Sequence, residues 1–117
     1  MREKVRDKGR LLHILSAIDT LMDARKRYTL SDIEGDAILF FGFVKHVEII
    51  GEAVYMLSKE FKARHNDVEW DAIEGMRHVL VHGYYTVKAE QLWNTVEYDI
   101  PKLKPLIEKY IADETAE

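Results

Sequence analysis

The sequence predicts an all-α protein, an up-and-down bundle of four main helices followed by a short or kinked C-terminal helix. Three observations carry that expectation. Apolar residues recur at steps of three and four along most of the chain. Six glycines and two prolines among 117 residues are few breakers, and no Ser/Gly/Pro-rich linker separates the segments. No alternating apolar and polar run is long enough for a strand to compete.

The first helix is expected from Lys4 to Tyr28, where Leu11, Leu12, Ile14, Leu15, Ile18, Leu21 and Met22 repeat with the period of one buried helical face. Arg10, Asp19, Asp23 and Arg25 fall on its far side. Ser31 with Glu34 three residues later reads as a capping box, in which hydroxyl and carboxylate satisfy open backbone N–H groups. A second helix is therefore expected from there to about Lys62. Its apolar positions, among them Ile33, Ala37, Phe40, Phe41, Val44, Val47, Ile50, Val54 and Leu57, exceed one stripe and predict burial on two sides, against the bundle and against a second subunit. Gly42 and Gly51 each cost about 1 kcal/mol relative to alanine inside a helix, which points to close backbone approach at a crossing.

After a polar connection from Ala63 to Asp67, Asn66 or Asp67 is placed to cap a third helix with Trp70, Ile73, Met76 and Leu80 toward the core and Gly83 at its end. A fourth helix from about Val87 carries Leu92, Trp93, Val96 and Ile100. Pro101 lacks an N–H and disfavours a helical residue before it, so a kink or break is expected there. Asp99 then caps a last segment from Lys102 to Ile111, with a frayed tail from Asp113 to Glu117.

With 47% apolar side chains, the 117 residues fit one compact domain. Seventeen Lys and Arg against 21 Asp and Glu exclude a polybasic coat of the histone kind, though not a local basic face. The absence of cysteine removes disulfides, thiolate zinc sites and cysteine nucleophiles, and fits a reducing compartment with cytoplasm as the expected location. Apolar runs such as Ala37 to Phe41 and Val79 to Val81 fall far short of the roughly 20 residues of a membrane span. Met1 to Arg10 alternates charges around Val5 and has no signal-peptide core.

Chemistry concentrates in Gly75-Met76-Arg77-His78-Val79-Leu80-Val81-His82-Gly83-Tyr84-Tyr85, where a guanidinium, two imidazoles and two phenols crowd a helix end. Residues five apart on an α-helix are offset by about 140°, so Arg77 and His82 share a site only if the helix stops near His82, as Gly83 implies. The carbonyl end of a helix favours a protonated imidazole, which suits His82 to proton transfer. A permanently charged, planar Arg77 suits a phosphate whose charge rises during attack by a ribose hydroxyl. Together these groups can cleave RNA without a metal. Two other readings of the segment stay open. Glu74, His78 and His82 follow an i, i+4, i+8 pattern seen in metal sites. Alternatively, Val79, Leu80 and Val81 pack while the polar residues only finish the helix.

Arg77-x4-His82-x-Tyr84 resembles the R-x4-6-H-x-Y motif of HEPN domains, and the chain around it is similar to the HepT-like toxins of prokaryotic HEPN and minimal-nucleotidyltransferase pairs. The likeness extends over nearly the whole chain, through Leu11-Leu12-His13-Ile14-Leu15, Glu48-Ile49-Ile50-Gly51-Glu52-Ala53, Trp70-x2-Ile73-x-Gly75-Met76-Arg77, and Leu92-Trp93-x-Thr95 followed by Asp99-Ile100-Pro101. The resemblance implies a HEPN-type helical bundle that forms a homodimer, with both motif segments in a cleft at the twofold axis. It further implies a metal-independent endoribonuclease toxin that needs no cofactor, with Arg77 and His82 catalytic. Tyr84 then matches the tyrosine that a minimal nucleotidyltransferase antitoxin modifies with AMP, placing a bulky anion where substrate phosphate binds. Two positions depart from many relatives: His78 stands where Asn or Asp follows the motif arginine, and Lys88 where Asp is frequent. His78 is accordingly a candidate supporting group.

Glu48 and Glu52 lie one turn apart in an apolar stretch, and a buried carboxylate needs a partner, so at least one is expected to pair with Arg77 or another base nearby, the alternative being an exposed helix face. Two basic stretches, Arg2, Lys4, Arg6, Lys8 and Arg10, and Lys59, Lys62, Arg64 and His65, are compatible with an RNA partner or with solvated helix faces. The competing function is a non-catalytic helical adaptor that presents a nucleotidyltransferase or nucleotide, the motif being kept for contact.

Overall fold

Four layers of apolar periodicity build an all-helical bundle in the computed structural model, which describes the backbone of residues 2–115 and the side chains of residues 7–115. Every regular element among the described residues is helical: α1 (Arg2–Arg27), α2 (Leu30–Gly35), α3 (Ala37–Met56), α4 (Lys59–Arg64), α5 (Trp70–Gly83), a 3-10 turn (Tyr84–Thr86), α6 (Ala89–Asn94), a π-helical turn (Thr95–Asp99) and α7 (Ile100–Thr115). The long helices α1, α3, α5 and α7 carry the core, with α3 packed between α1 and α5, and α7 on the other side of α1.

Leu11, Ile14, Ile18 and Leu21 of α1 are buried against Val44, Val47, Ile50 and Val54 of α3 and Leu103 and Ile107 of α7. Each such aliphatic side chain contributes about 1.5–3 kcal/mol of transfer free energy, which is what holds four helices in register. Leu12, predicted inside, is exposed. Ile73 and Met76, also predicted inside, are half-buried along a groove of about 420 Å³ that Ile50, Leu103 and Leu106 share.

The expected second helix is three. Thr29, not Ser31, forms the capping box: its hydroxyl accepts from the Asp32 N–H at 3.3 Å while the Asp32 carboxylate accepts from the Thr29 N–H at 2.8 Å. The same x-x-x-acid spacing occurs two residues earlier than predicted, and the extended backbone of Thr29 decides between them. Asp36 then breaks the chain with φ −138° and caps α3 by accepting from the Leu39 N–H. Ser58 starts α4 by accepting from the Phe61 N–H, and its N–H and hydroxyl donate to Asp7 at 2.8 and 2.7 Å. This satisfies the buried Asp7 carboxylate and ties α1 to the α3–α4 corner.

Neither Asn66 nor Asp67 caps α5; Glu69 occupies the cap position without a side-chain hydrogen bond. Asp67 instead accepts from the Tyr110 hydroxyl, beside a cluster of Phe61, His65, Trp70 and Tyr110 rings. That hydrogen bond holds the Asp67 carboxyl below its ordinary range, while burial and the neighbouring Asp67 push the Tyr110 phenol well above its own.

The break expected at Pro101 is a π-helical turn. Helix runs on from α6 through the turn into α7, and the Ile100 N–H reaches back to the Thr95 carbonyl. Pro101 has no N–H for the Glu97 carbonyl, and Arg25 supplies the missing donor, its Nη1 at 2.7 Å. Arg25 therefore faces inward, contrary to the far-side expectation. The tail expected to fray stays helical to Thr115, with Glu114 buried and paired to Arg64 at 3.6 Å. Ala116 and Glu117 lie outside the described residues, as do the side chains of Arg2, Lys4 and Arg6. No described helix is long and apolar enough to cross a membrane.

Candidate active site

The helix α5 is amphipathic about Trp70 and Leu80, which face the core, and the motif residues leave it on other sides. Arg77 sits where α5 crosses α3. An alanine Cβ at position 51 would come within 2.5 Å of the Arg77 Cβ, so Gly51 is the residue that lets the backbones meet. Gly42, predicted to serve the same purpose, has nothing within 4 Å and belongs to an open face. At the crossing the Arg77 Nε donates to Glu52 Oε2 at 2.5 Å, and its guanidinium carbon lies 4.9 Å from the centre of the Tyr55 ring. The carboxylate and the ring hold the guanidinium from two sides and leave the side chain one-quarter exposed.

His82 occupies the last turn of α5. The α-helix runs without interruption through both motif residues and ends one residue later, at Gly83. Arg77 and His82 consequently leave the helix about 140° apart, and the helix end does not swing them onto one face. His82 is exposed, and its ring stands 4.7 Å from that of His78, one turn back, at a tilt of 52°. Tyr84 follows in the 3-10 turn, which the Thr86 hydroxyl closes by donating to the Gly83 carbonyl at 2.7 Å. The Tyr84 ring packs edge-on against Phe41 of α3 at 5.6 Å and against Tyr85 at 5.8 Å, and remains 46% exposed.

Of the two glutamates, Glu52 takes Arg77, as expected of at least one, but from an exposed position and not as a buried carboxylate, and Glu48 lies 3.7 Å from Lys45. Glu74 pairs with Lys62 at 3.1 Å instead of joining His78 and His82. Among the described residues no group of three or more His, Asp or Glu is arranged to hold a metal ion, and the Glu74, His78, His82 pattern finds no support. Most of the second basic stretch is also engaged within the fold: Lys62 by Glu74, Arg64 by Glu114, and His65 by the Phe61 and Tyr110 rings.

The model of the HepT-like ribonuclease family matches residues 14–110. The chain belongs to the HepT-like family. Relatives include a proposed RNase of Caldanaerobacter subterraneus subsp. tengcongensis, 38% identical over 104 residues that cover 89% of this chain and 93% of that one. A proposed ribonuclease HepT of Thermococcus cleftensis is 34% identical over 87% of this chain and 93% of its own length. A Methanocaldococcus jannaschii protein named as a gamma-glutamylcyclotransferase and proposed RNase is 34% identical over 88% of this chain but only 46% of its own. No solved structure matches at a significant level.

For this HepT-like chain, sequence reasoning missed two contributors. Tyr55, one turn beyond Glu52, supplies the ring beside Arg77, and Phe41, read only as part of the wide apolar surface of its helix, is half-exposed and supports Tyr84. The Glu52-x2-Tyr55 spacing was the available signal for the first, since residues three apart share a helical face. On α3, Ile38, 84% exposed, Tyr55 and Met56 also stand outside the core, and on α5 Val79 and Val81 are exposed on either side of the buried Leu80. One flank of α3 is therefore buried in the bundle, and the other faces outward as an apolar surface.

Proposed function

We propose that the chain is a metal-independent endoribonuclease of toxin type that works as a homodimer, with Arg77 and His82 catalytic and Tyr84 the site of inhibitory AMPylation. The observation that carries this reading is the pairing of a guanidinium, oriented by Glu52 and Tyr55, with an exposed imidazole on the same helix. The two point apart within one chain, and the apolar face around Ile38 and Phe41 provides a surface on which a second copy brings the missing half of each site. In that assembly the His82 imidazole removes the proton of a ribose 2′-hydroxyl. The freed oxygen forms the new bond to phosphorus, the bond to the 5′-oxygen breaks, and that oxygen takes a proton from an imidazolium. Arg77 stabilises the charge gathered on the phosphorane, an interaction stronger in the transition state than in the ground state. His78, whose tilted ring lies beside that of His82, supports its orientation.

The exposed Tyr84 phenol is open to an ATP-dependent nucleotidyltransferase antitoxin. The phenolic oxygen attacks the α-phosphorus and pyrophosphate leaves, putting a nucleotide anion beside the motif. The test is purified protein on RNA in EDTA, with Arg77→Ala and His82→Ala proteins of unchanged circular dichroism. Cleavage that persists in chelator and drops by at least about 100-fold in His82→Ala fits a proton-transfer role. Cleavage abolished by chelator, or retained by His82→Ala, overturns it. Mass increments of AMP on Tyr84 after co-expression with a neighbouring nucleotidyltransferase check the regulation, and an unmodified stable complex without growth arrest on solo expression points to the adaptor.

A further inference from the structure

A second cluster of titratable groups lies outside the motif, in a pocket of about 270 Å³ between α1 and α3 lined by Arg10, His13, Lys45, Glu48 and Glu52. Glu52 belongs to both places, since it lines this pocket and accepts from Arg77. Its carboxylate is engaged by Arg77 and that of Glu48 by Lys45, whereas among the described residues no carboxylate forms an ion pair with Arg10 or His13. Arg10 and Lys45 line the pocket with the two carboxylates, and Arg77, outside the lining, engages Glu52. The permanent positive charge of Arg10 is thus left without a carboxylate of the pocket before His13 is counted. The pocket's volume falls just below the roughly 300–1,000 Å³ of sites that enclose whole ligands and leaves ample room for a phosphate group. Lys45 and Glu52 are two turns apart on α3, about 10 Å, so an anion held there sits a few nucleotides at most from one held at Arg77.

The geometry points to a second phosphate-binding subsite, made by Arg10, His13 and Lys45, that seats a backbone phosphate of the RNA beside the one Arg77 engages. This rests on the ribonuclease reading. Glu52 then has a double role, orienting Arg77 while bordering the neighbouring phosphate, so that strand placement and the arginine's position are set by one side chain. Arg10 and His13 on one side and Lys45 on the other come from two helices whose mutual packing is fixed by the buried α1–α3 core, which gives the subsite a rigid frame.

The probe is a fluorescein-labelled oligouridylate, bound in EDTA by His82→Ala protein and followed by anisotropy across a salt series. Arg10→Gln with His13→Gln in that background is expected to weaken binding roughly tenfold. The slope of log K against log salt should become shallower by about 0.7 for each phosphate that the variant no longer neutralises. Lys45→Gln, on the other wall of the pocket, should move affinity and slope in the same direction and decides the matter if the double variant does not fold. Removing two exposed charges elsewhere, Lys26→Gln with Lys109→Gln, controls for net charge and should leave the slope of the parent. Variants that bind with the parent's affinity and slope, or no more weakly than the control, overturn the subsite while EDTA-resistant cleavage by wild type keeps the ribonuclease reading. Absence of both RNA binding and cleavage in wild type overturns the two together.

Discussion

Gly51→Ala tests the crossing that positions Arg77. The added methyl would lie 2.5 Å from the Arg77 Cβ and 3.3 Å from its Cα, against 3.4–4 Å for ordinary contact. The obstacle is backbone and Cβ, not the end of a flexible side chain, so α3 and α5 must part by about 0.9 Å, the shortfall from 3.4 Å. Overpacking of this kind costs about 1–3 kcal/mol, and replacing a helical glycine by alanine returns about 1 kcal/mol. Gly75→Ala in α5 is the matched control: nothing lies within 4 Å of its Cβ position, so it gains the propensity alone. The difference between the two proteins cancels propensity and is expected at about 1–3 kcal/mol in urea unfolding, Gly51→Ala being the weaker. Gly51→Ala should also lose RNA cleavage out of proportion to its stability, because the Glu52 hydrogen bond to Arg77 spans the displaced crossing. Equal stabilisation by both alanines would refute the close approach as the reason for Gly51.

Arg25→Gln leaves the Glu97 carbonyl without the Arg25 donor and is expected to cost about 1–3 kcal/mol; Pro101→Ala, which restores an N–H, should recover part of that loss in a double-mutant cycle, and strict additivity would contradict the pairing. Glu52→Gln should change stability by less than about 1 kcal/mol, since the pair is half-exposed, while lowering kcat by about tenfold through a less fixed Arg77; an unchanged kcat would remove Glu52 from the site. The Asp67–Tyr110 hydrogen bond makes stability pH-dependent at both ends. Asp67, with its pKa lowered, contributes fully above the ordinary value near 3.8 and loses that contribution as pH falls below it. Tyr110, with its pKa raised, contributes fully below the ordinary value near 10 and loses it as pH rises beyond. Tyr110→Phe should therefore flatten the alkaline limb of the unfolding midpoint, measured by circular dichroism, relative to wild type.

Local signals decided much of this protein. The three-and-four spacing of Leu11 to Leu21 and of Val44 to Val54 determined which faces are buried, because burial of a contiguous stripe is the dominant favourable term. Gly83 ended α5 at the expected place, and the Arg77–His82–Tyr84 spacing with its flanks was enough to place the chain in its family, as residues 14–110 bear out. Choices between near-equal local signals fell to tertiary structure. Thr29 and Ser31 offer the same capping spacing, and Asp36 and Ser58 break what reads as one long helix, Ser58 with help from the distant Asp7. Pro101 is tolerated because Arg25, 76 positions away along the chain, replaces its missing donor. Gly42 and Gly51 look alike in sequence, and only the position of α5 brings a neighbour against one and leaves the other open. The site divides the same way: residue types announce the chemistry, but directions do not. Arg77 meets Glu52 because α5 crosses α3 closely at Gly51, a matter of three-dimensional packing, whereas His82, about 140° round the same helix, is left facing outward.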